Sequence, residues 1–167
     1  MITHFGKAAK EDIMEFKKLH KDPFSVIGKE IFTWDGDGLI PKVWAIVDRE
    51  FAVIEPVILK DENGKPLAKW GAMSSKKRDF SMWEDNGSVG LYLAGYEAPA
   101  DAEVPAGWTK WDIPGFDFML GKIEGEGYFY RAFEELAAQG TPVIAATENW
   151  IDQETGDFYF AFPVKRY

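Results

Sequence analysis

Apolar residues recur along this chain with two spacings, and each spacing predicts a different kind of element. Over residues 40–54, Ile40, Val43, Trp44, Val47, Phe51 and Ile54 fall at offsets 0, 3, 4, 7, 11 and 14, with Pro41 in the first turn. That is the period of a helix with one apolar face, and such a face has to be covered by a sheet. Phe129, Phe133 and Leu136 predict a second helix over 128–138, and Ile13, Phe16 and Leu19 a short one over 7–19, ended before Pro23. Between them, short apolar runs bounded by Gly, Pro, Asn and Asp read as strands. They are "PFSVIGKEIFTW", closed by the "DGDG" turn at Asp35 to Gly38, then "PLAKWGAMS" and "GSVGLYLAGYEA" after the "ENGK" turn. Further on, "GWTKWDI" and "FDFMLGKIEG" flank Pro114, and "PVIAATENW" and "FYFAFPVK" come last.

The order strand, helix, strand, strand thus occurs twice. Laying Gly28 on Gly121 sets "VIGK" over "MLGK" and brings the later elements into step. The fold this predicts is α+β: two βαββ units related by a pseudo-twofold, forming an antiparallel sheet with both helices on one face. A central ligand cleft is expected where the halves meet. Only residues 98–107, "APADAEVPAG", have the composition of a linker. The predicted division is a helical extension over 1–22 and one domain over 23–167.

Composition narrows the chemistry. At 167 residues the chain has a single-domain length, able to bury roughly two-thirds of its unfolded surface. The absence of cysteine excludes disulfides, thiolate ligands and cysteine nucleophiles, and both histidines, His4 and His20, lie in the first twenty residues. Neither a metal nor a cofactor is expected. A formal net charge of −9 argues against direct nucleic-acid binding, and the short basic run Lys76, Lys77, Arg78 reads as a solvated loop. Asp35 and Asp37 lack the further spaced ligands of a calcium loop and read as a turn. No apolar run approaches the ~18 residues of a membrane span, and "MITHFGKAAKED" lacks a signal pattern, so no membrane partner and a cytoplasmic location are expected. Aromatic residues reach 16%, with seven Trp and thirteen Phe, more rings than a core this size needs. Rings in excess of a core line pockets or interfaces.

Glu148 is the residue that hydrophobic pattern leaves unexplained. It follows Val143, Ile144, Ala145 and Ala146 in what reads as a buried strand. An ionised carboxylate is costly to bury unless something pairs with it. Glu148 is therefore at a strand end in water, satisfied internally, or placed for a ligand. Trp150, two residues on, alternates onto the same sheet face and offers a cation–π surface.

The ordered set "FSVIGKEIFTW", "IPKVW", "LYLAGYE", "GWTKWDIPGFDFMLGKIEG" and "TENWIDQETGDFYFAFPVK", covering about residues 23–166, resembles the gyrase-inhibitor-like small-molecule-binding family. That family shares its fold with the effector-binding domains of AraC-type and MerR-type multidrug-responsive regulators. The resemblance implies the duplicated βαββ fold and a cleft of aromatics around an acid, at the position of Glu148. It departs in two ways: the residues before Pro23 can hold at most one helix, too little for a helix-turn-helix domain, and Trp150 stands near where relatives often carry Tyr. A standalone member is therefore expected. Beside Glu148 and Trp150, the candidate ligand-binding residues are Tyr92, whose phenol could donate to a ligand or to Glu148, Trp111 and Phe118 about Pro114, and Trp83, a ring in a polar loop that reads as a lid. Three functions are carried forward: binding of a hydrophobic, cationic or aromatic small molecule against Glu148; hydrolysis of strained or electrophilic molecules, with Glu148 as general base and Tyr92 or Trp150 orienting the substrate; and a protein-interaction module with a partner such as gyrase or a separate regulator. A homodimer is compatible with each.

Overall fold

The computed structural model describes residues 14–167. Eight strands form one sheet: β1 (Lys17–Lys21), β2 (Phe24–Phe32), β3 (Lys69–Ser74), β4 (Leu91–Ala98), β5 (Thr109–Ile113), β6 (Phe116–Lys122), β7 (Glu148–Ile151) and β8 (Phe158–Arg166). Their spatial order is β1-β6-β8-β7-β3-β4-β2-β5, with each neighbouring pair antiparallel. The helices are α1 (Leu39–Arg49), the one-turn α2 (Phe51–Ile54) and α3 (Glu84–Gly87), and α4 (Tyr128–Ala138). The fold is thus α+β and antiparallel, as the sequence pattern predicts.

Strand pairing assigns every side chain to a face, because directly opposed residues point the same way. One face carries Ile27, Tyr92, Ala94, Tyr96 and Ile151, on which Val43, Trp44, Val47 and Ile54 pack. The same face continues to Met119, Phe160 and Phe162 under Tyr128, Ala132 and Leu136 of α4. Both helices therefore cover one face. The opposite face carries Val26, Trp70, Ala72, Leu93, Trp111, Phe118, Leu120 and Ala161, which form a second buried cluster with no helix over it.

That second cluster is enclosed because the sheet coils. β1 and β2 stand six strand spacings apart in the order, which would be ~29 Å in a flat sheet, yet Asp22 and Pro23 alone join them. Pro114 and Gly115 join β5 to β6 in the same way. The rings of Phe24 on β2 and Phe118 on β6 both reach Trp70, at 5.0 and 5.5 Å between centroids, so the helix-free face is the inside of the coil. Gly28 and Gly95 oppose each other on this inner face, and a Cβ on Gly28 would lie 2.0 Å from the Ala94 carbonyl oxygen. Two glycines together allow the backbones the close approach that tight curvature requires.

The internal twofold is present, in a register different from the predicted one. Phe24 opposes Ile113 and Phe116 opposes Lys21, the same arrangement with the halves exchanged, which makes Phe24 equivalent to Phe116 and Gly28 to Leu120. The Gly28–Gly121 alignment is one residue off, and a one-residue slip reverses faces. The two glycines serve different ends: Gly28 admits the β4 backbone, whereas Gly121 faces the helices and makes room for the Tyr128 hydroxyl. At the seam Trp70 opposes Trp150 and Gly71 opposes Asn149. The axis passes through the Gly71–Asn149 pair, and Trp70 and Glu148 are equivalent positions.

Three further expectations need correction. Of the helix expected over 7–19, residues 7–13 lie outside the described residues, residues 14–16 have no regular structure, and Lys17–Lys21 is a strand against β6 with Leu19 turned inward. The helix expected over 40–54 breaks at Glu50, whose φ of −103° and ψ of 15° leave α-helical geometry. The strand expected from Pro142 starts only at Glu148: Ile144 is 49% exposed, and 141–147 is tied to the sheet by isolated bonds such as Ile144 N–H to the Pro163 carbonyl.

Candidate functional site

Glu148 opens β7 opposite Ala161, on the inner face and one step from the twofold axis. Its residue is 2% exposed. The pairing of β3 with β7 stops at Gly71, so the Met73 N–H is left without a strand partner, and it donates to Glu148 Oε2 at 2.8 Å. Among the described residues no Lys, Arg or His stands within ion-pair distance of this carboxyl. Burial pushes its pKa well above the usual carboxylate range, and the one backbone hydrogen bond only partly offsets that.

Trp150 lies on the same face as Glu148 and is half-buried. Its ring meets Tyr159 of β8 edge-on at 5.3 Å and opposes Trp70 across the seam. Trp111 and Phe118 also belong to this face. Phe118 is fully buried between Trp70 and Phe116, at 5.5 Å from each ring, and Trp111 donates its indole N–H to Glu30 Oε1 at 2.8 Å. Four of the six sequence-predicted residues, Glu148, Trp150, Trp111 and Phe118, are therefore gathered on the inner face.

Tyr92 and Trp83 go elsewhere. Tyr92 is on the helix side, where its hydroxyl accepts from Trp44 Nε1 at 3.0 Å and donates to Asn149 Oδ1 at 2.9 Å. Its ring lies over Gly71, where a Cβ would come within 1.9 Å of the hydroxyl oxygen, so the glycine on the twofold axis is what lets the ring lie there. Burial raises the phenol's pKa, and Glu148, across the sheet, adds to the rise. Trp83 packs against the helix-side cluster, donating to the Leu91 carbonyl at 3.0 Å, and its ring occupies the space a side chain at Gly90 would need. It does not lie over Glu148.

Three inner-face residues were not singled out by sequence. Glu97 is 1% exposed; its Oε1 accepts from Trp70 Nε1 at 3.0 Å and pairs with Lys21 Nζ at 2.6 Å. It is a buried acid that already has a cation, in contrast to Glu148. Glu30 pairs with Arg78, and Phe80 meets the Trp111 ring edge-on at 6.2 Å. Alternation from Val26 through Gly28 could have placed Glu30 on the inner face, whereas no periodicity marks Phe80.

Two cavities open beside this core. One of about 970 Å³ is lined by Phe16, Leu120, Lys122, Tyr128, Arg131 and Tyr159, so the Tyr159 ring that touches Trp150 forms part of its wall. One of about 400 Å³ lies near Lys21, Phe24, Leu59 and Glu97. Glu148 lines neither. Among the described residues no cluster of acids and histidines could hold a metal ion, and no helix is long and apolar enough to cross a membrane.

By sequence, no family model and no curated protein matches this chain. Solved structures do. The C-terminal domain of EcmrR superposes with a TM-score of 0.57 at 10% identity, over 93% of this chain and 99% of that one. In an EcmrR–DNA complex the TM-score is 0.58 at 11% identity over 99% of this chain, which spans only 64% of that longer chain. SAV2435 bound to tetraphenylphosphonium matches with a TM-score of 0.52 at 14% identity, over 91% of this chain and 94% of that one. At such identities the likeness is one of fold alone.

Proposed function

We propose that this chain binds a hydrophobic small molecule carrying positive charge or an aromatic ring, on the inner face of the coiled sheet, with Glu148 as its charged partner. The observation that carries the reading is a fully buried carboxyl with, among the described residues, a single backbone donor and no basic side chain in reach. Trp150 and Tyr159 stand next to it on the same face, and indole and phenol rings attract cations over their faces. The tetraphenylphosphonium bound by SAV2435 is a compound of this chemistry, on a chain of the same fold. A ligand cation would favour the ionised form of Glu148, so binding and loss of its proton go together. The gyrase-inhibitor-like resemblance points the same way. Tyr92 lies on the far side of the sheet from the Glu148 carboxyl, so of the two residues expected to orient a substrate for hydrolysis only Trp150 shares its face.

The test is titration calorimetry with tetraphenylphosphonium at pH 8. Wild type should bind, with proton release read from the dependence of the heat on buffer ionisation. Glu148→Gln should weaken binding about tenfold or more, the scale expected for losing an ionic partner in a dehydrated site. Equal affinity in both proteins would remove Glu148 from the site.

A further inference from the structure

Residues 75–82 leave β3 next to Met73, the residue bonded to Glu148, and cross the inner face. Arg78 donates through Nε and Nη2 to the two oxygens of Glu30, at 3.0 and 2.6 Å, and Glu30 also accepts from Trp111. Phe80 sets its ring against Trp111, and its carbonyl accepts from the Ala146 N–H at 2.8 Å, two residues before Glu148. The segment thus spans from Glu30 and Trp111 in the first half to the approach to β7 in the second. It carries a guanidinium and an aromatic ring, the two groups a lipophilic cation would bring.

The segment is held by its own short-range bonds. Ser75 and the Ser81 N–H both donate to Asp79, whose carboxyl is held at about 2 by them, and the Phe80 N–H donates to Ser74 Oγ. Arg78 and Phe80 have φ of 56° and 63°, left-handed conformations that side chains other than glycine adopt only at a cost. A strained segment fixed to the sheet mainly by one ion pair, one ring contact, the Ala146–Phe80 backbone bond and the Phe80 bond to Ser74 Oγ can leave as a unit.

We propose that residues 75–82 are a displaceable plug, and that the Glu30–Trp111 pair they cover is a second subsite, taking the amidinium or guanidinium of an aromatic cation whose other end lies toward Glu148. This rests on the reading of the inner face as the binding site and names a class of ligand for it. Glu30 offers two coplanar oxygens that suit a forked N–H donor, as its bidentate hold on Arg78 demonstrates. The plug competes with the ligand, so apparent affinity scales with the fraction of molecules in which it is open.

The experiment measures affinity for 4-aminobenzamidine and, in parallel, for tetraphenylphosphonium, which has no N–H to donate. Arg78→Ala frees Glu30 and should tighten 4-aminobenzamidine about three- to tenfold, the range for one exposed but bidentate pair. Glu30→Gln should weaken it about tenfold while leaving tetraphenylphosphonium unchanged or tighter. Arg78→Ala with equal or lower amidine affinity would overturn the plug, and Glu30→Gln without loss would overturn the subsite. Tetraphenylphosphonium binding that depends on Glu148, with 4-aminobenzamidine bound by no variant, would overturn this inference and leave the proposed function standing. If neither probe bound any variant, both would fall.

Discussion

At the residue scale, the contrast between Glu97 and Glu148 carries the argument. Both carboxyls are buried on the inner face, but Glu97 has Lys21 and Trp70 while Glu148 has, among the described residues, only the Met73 N–H. A carboxyl whose folded pKa is raised binds its proton more tightly when folded, so the fold loses stability as pH rises from the unfolded value to the raised one. Glu148→Gln removes that loss. Its melting temperature should equal that of wild type near pH 4 and exceed it at pH 8, as read by thermal melts in matched buffers. A second prediction concerns Tyr92→Phe, which leaves Trp44 Nε1 and Asn149 Oδ1 without the hydroxyl joining them. It should cost about 1–3 kcal/mol in urea denaturation and leave tetraphenylphosphonium binding intact, because the residue faces the helices. The phase of Tyr92 was not legible in the sequence. Every residue of β4 is buried, so the strand has no polar alternation from which to read which side chains face inward.

At the scale of elements, the longer periodic signals were sound, while the short one at Ile13, Phe16 and Leu19 named a helix where Lys17–Lys21 is a strand. The apolar stripe of residues 40–54 named the side chains that meet the sheet, and the repeated order of elements gave the two βαββ units. Matching glycines misplaced the register because Gly28 and Gly121 answer to different neighbours, a strand backbone in one case and a helix side chain in the other. Residues 75–82 have no period at all, and the cover proposed for them follows only from where the coil brings Glu30 and Trp111. The coil itself depends on the Gly28–Gly95 pair. Gly28→Ala should therefore destabilise by about 3 kcal/mol or more, above the usual range for an overpacked site because the obstacle is backbone rather than a movable side chain. Gly64→Ala, at a surface turn with open space around it, is the control and should cost about 1 kcal/mol from its positive φ alone.

At the scale of the molecule, duplication produces the site without making it symmetric. The twofold sets Trp70 and Glu148 in equivalent places beside the Gly71–Asn149 pair, one a ring and the other an acid, the two groups the proposed cation site calls for. Coiling turns this face inward and removes it from water, which raises the Glu148 pKa and makes a cation from outside an effective partner. The position of Glu148 and the face of Trp150 were legible from alternation. The enclosure was not, since it depends on the two-residue links joining strands at opposite ends of the sheet order. The most direct measurement is the carboxyl ¹³C titration of Glu148 by NMR, with and without saturating tetraphenylphosphonium. The account predicts a pKa well above that of an exposed glutamate in the free protein and a fall when the cation is added. A free-protein value in the ordinary range, or a raised value that the cation leaves in place, would contradict it.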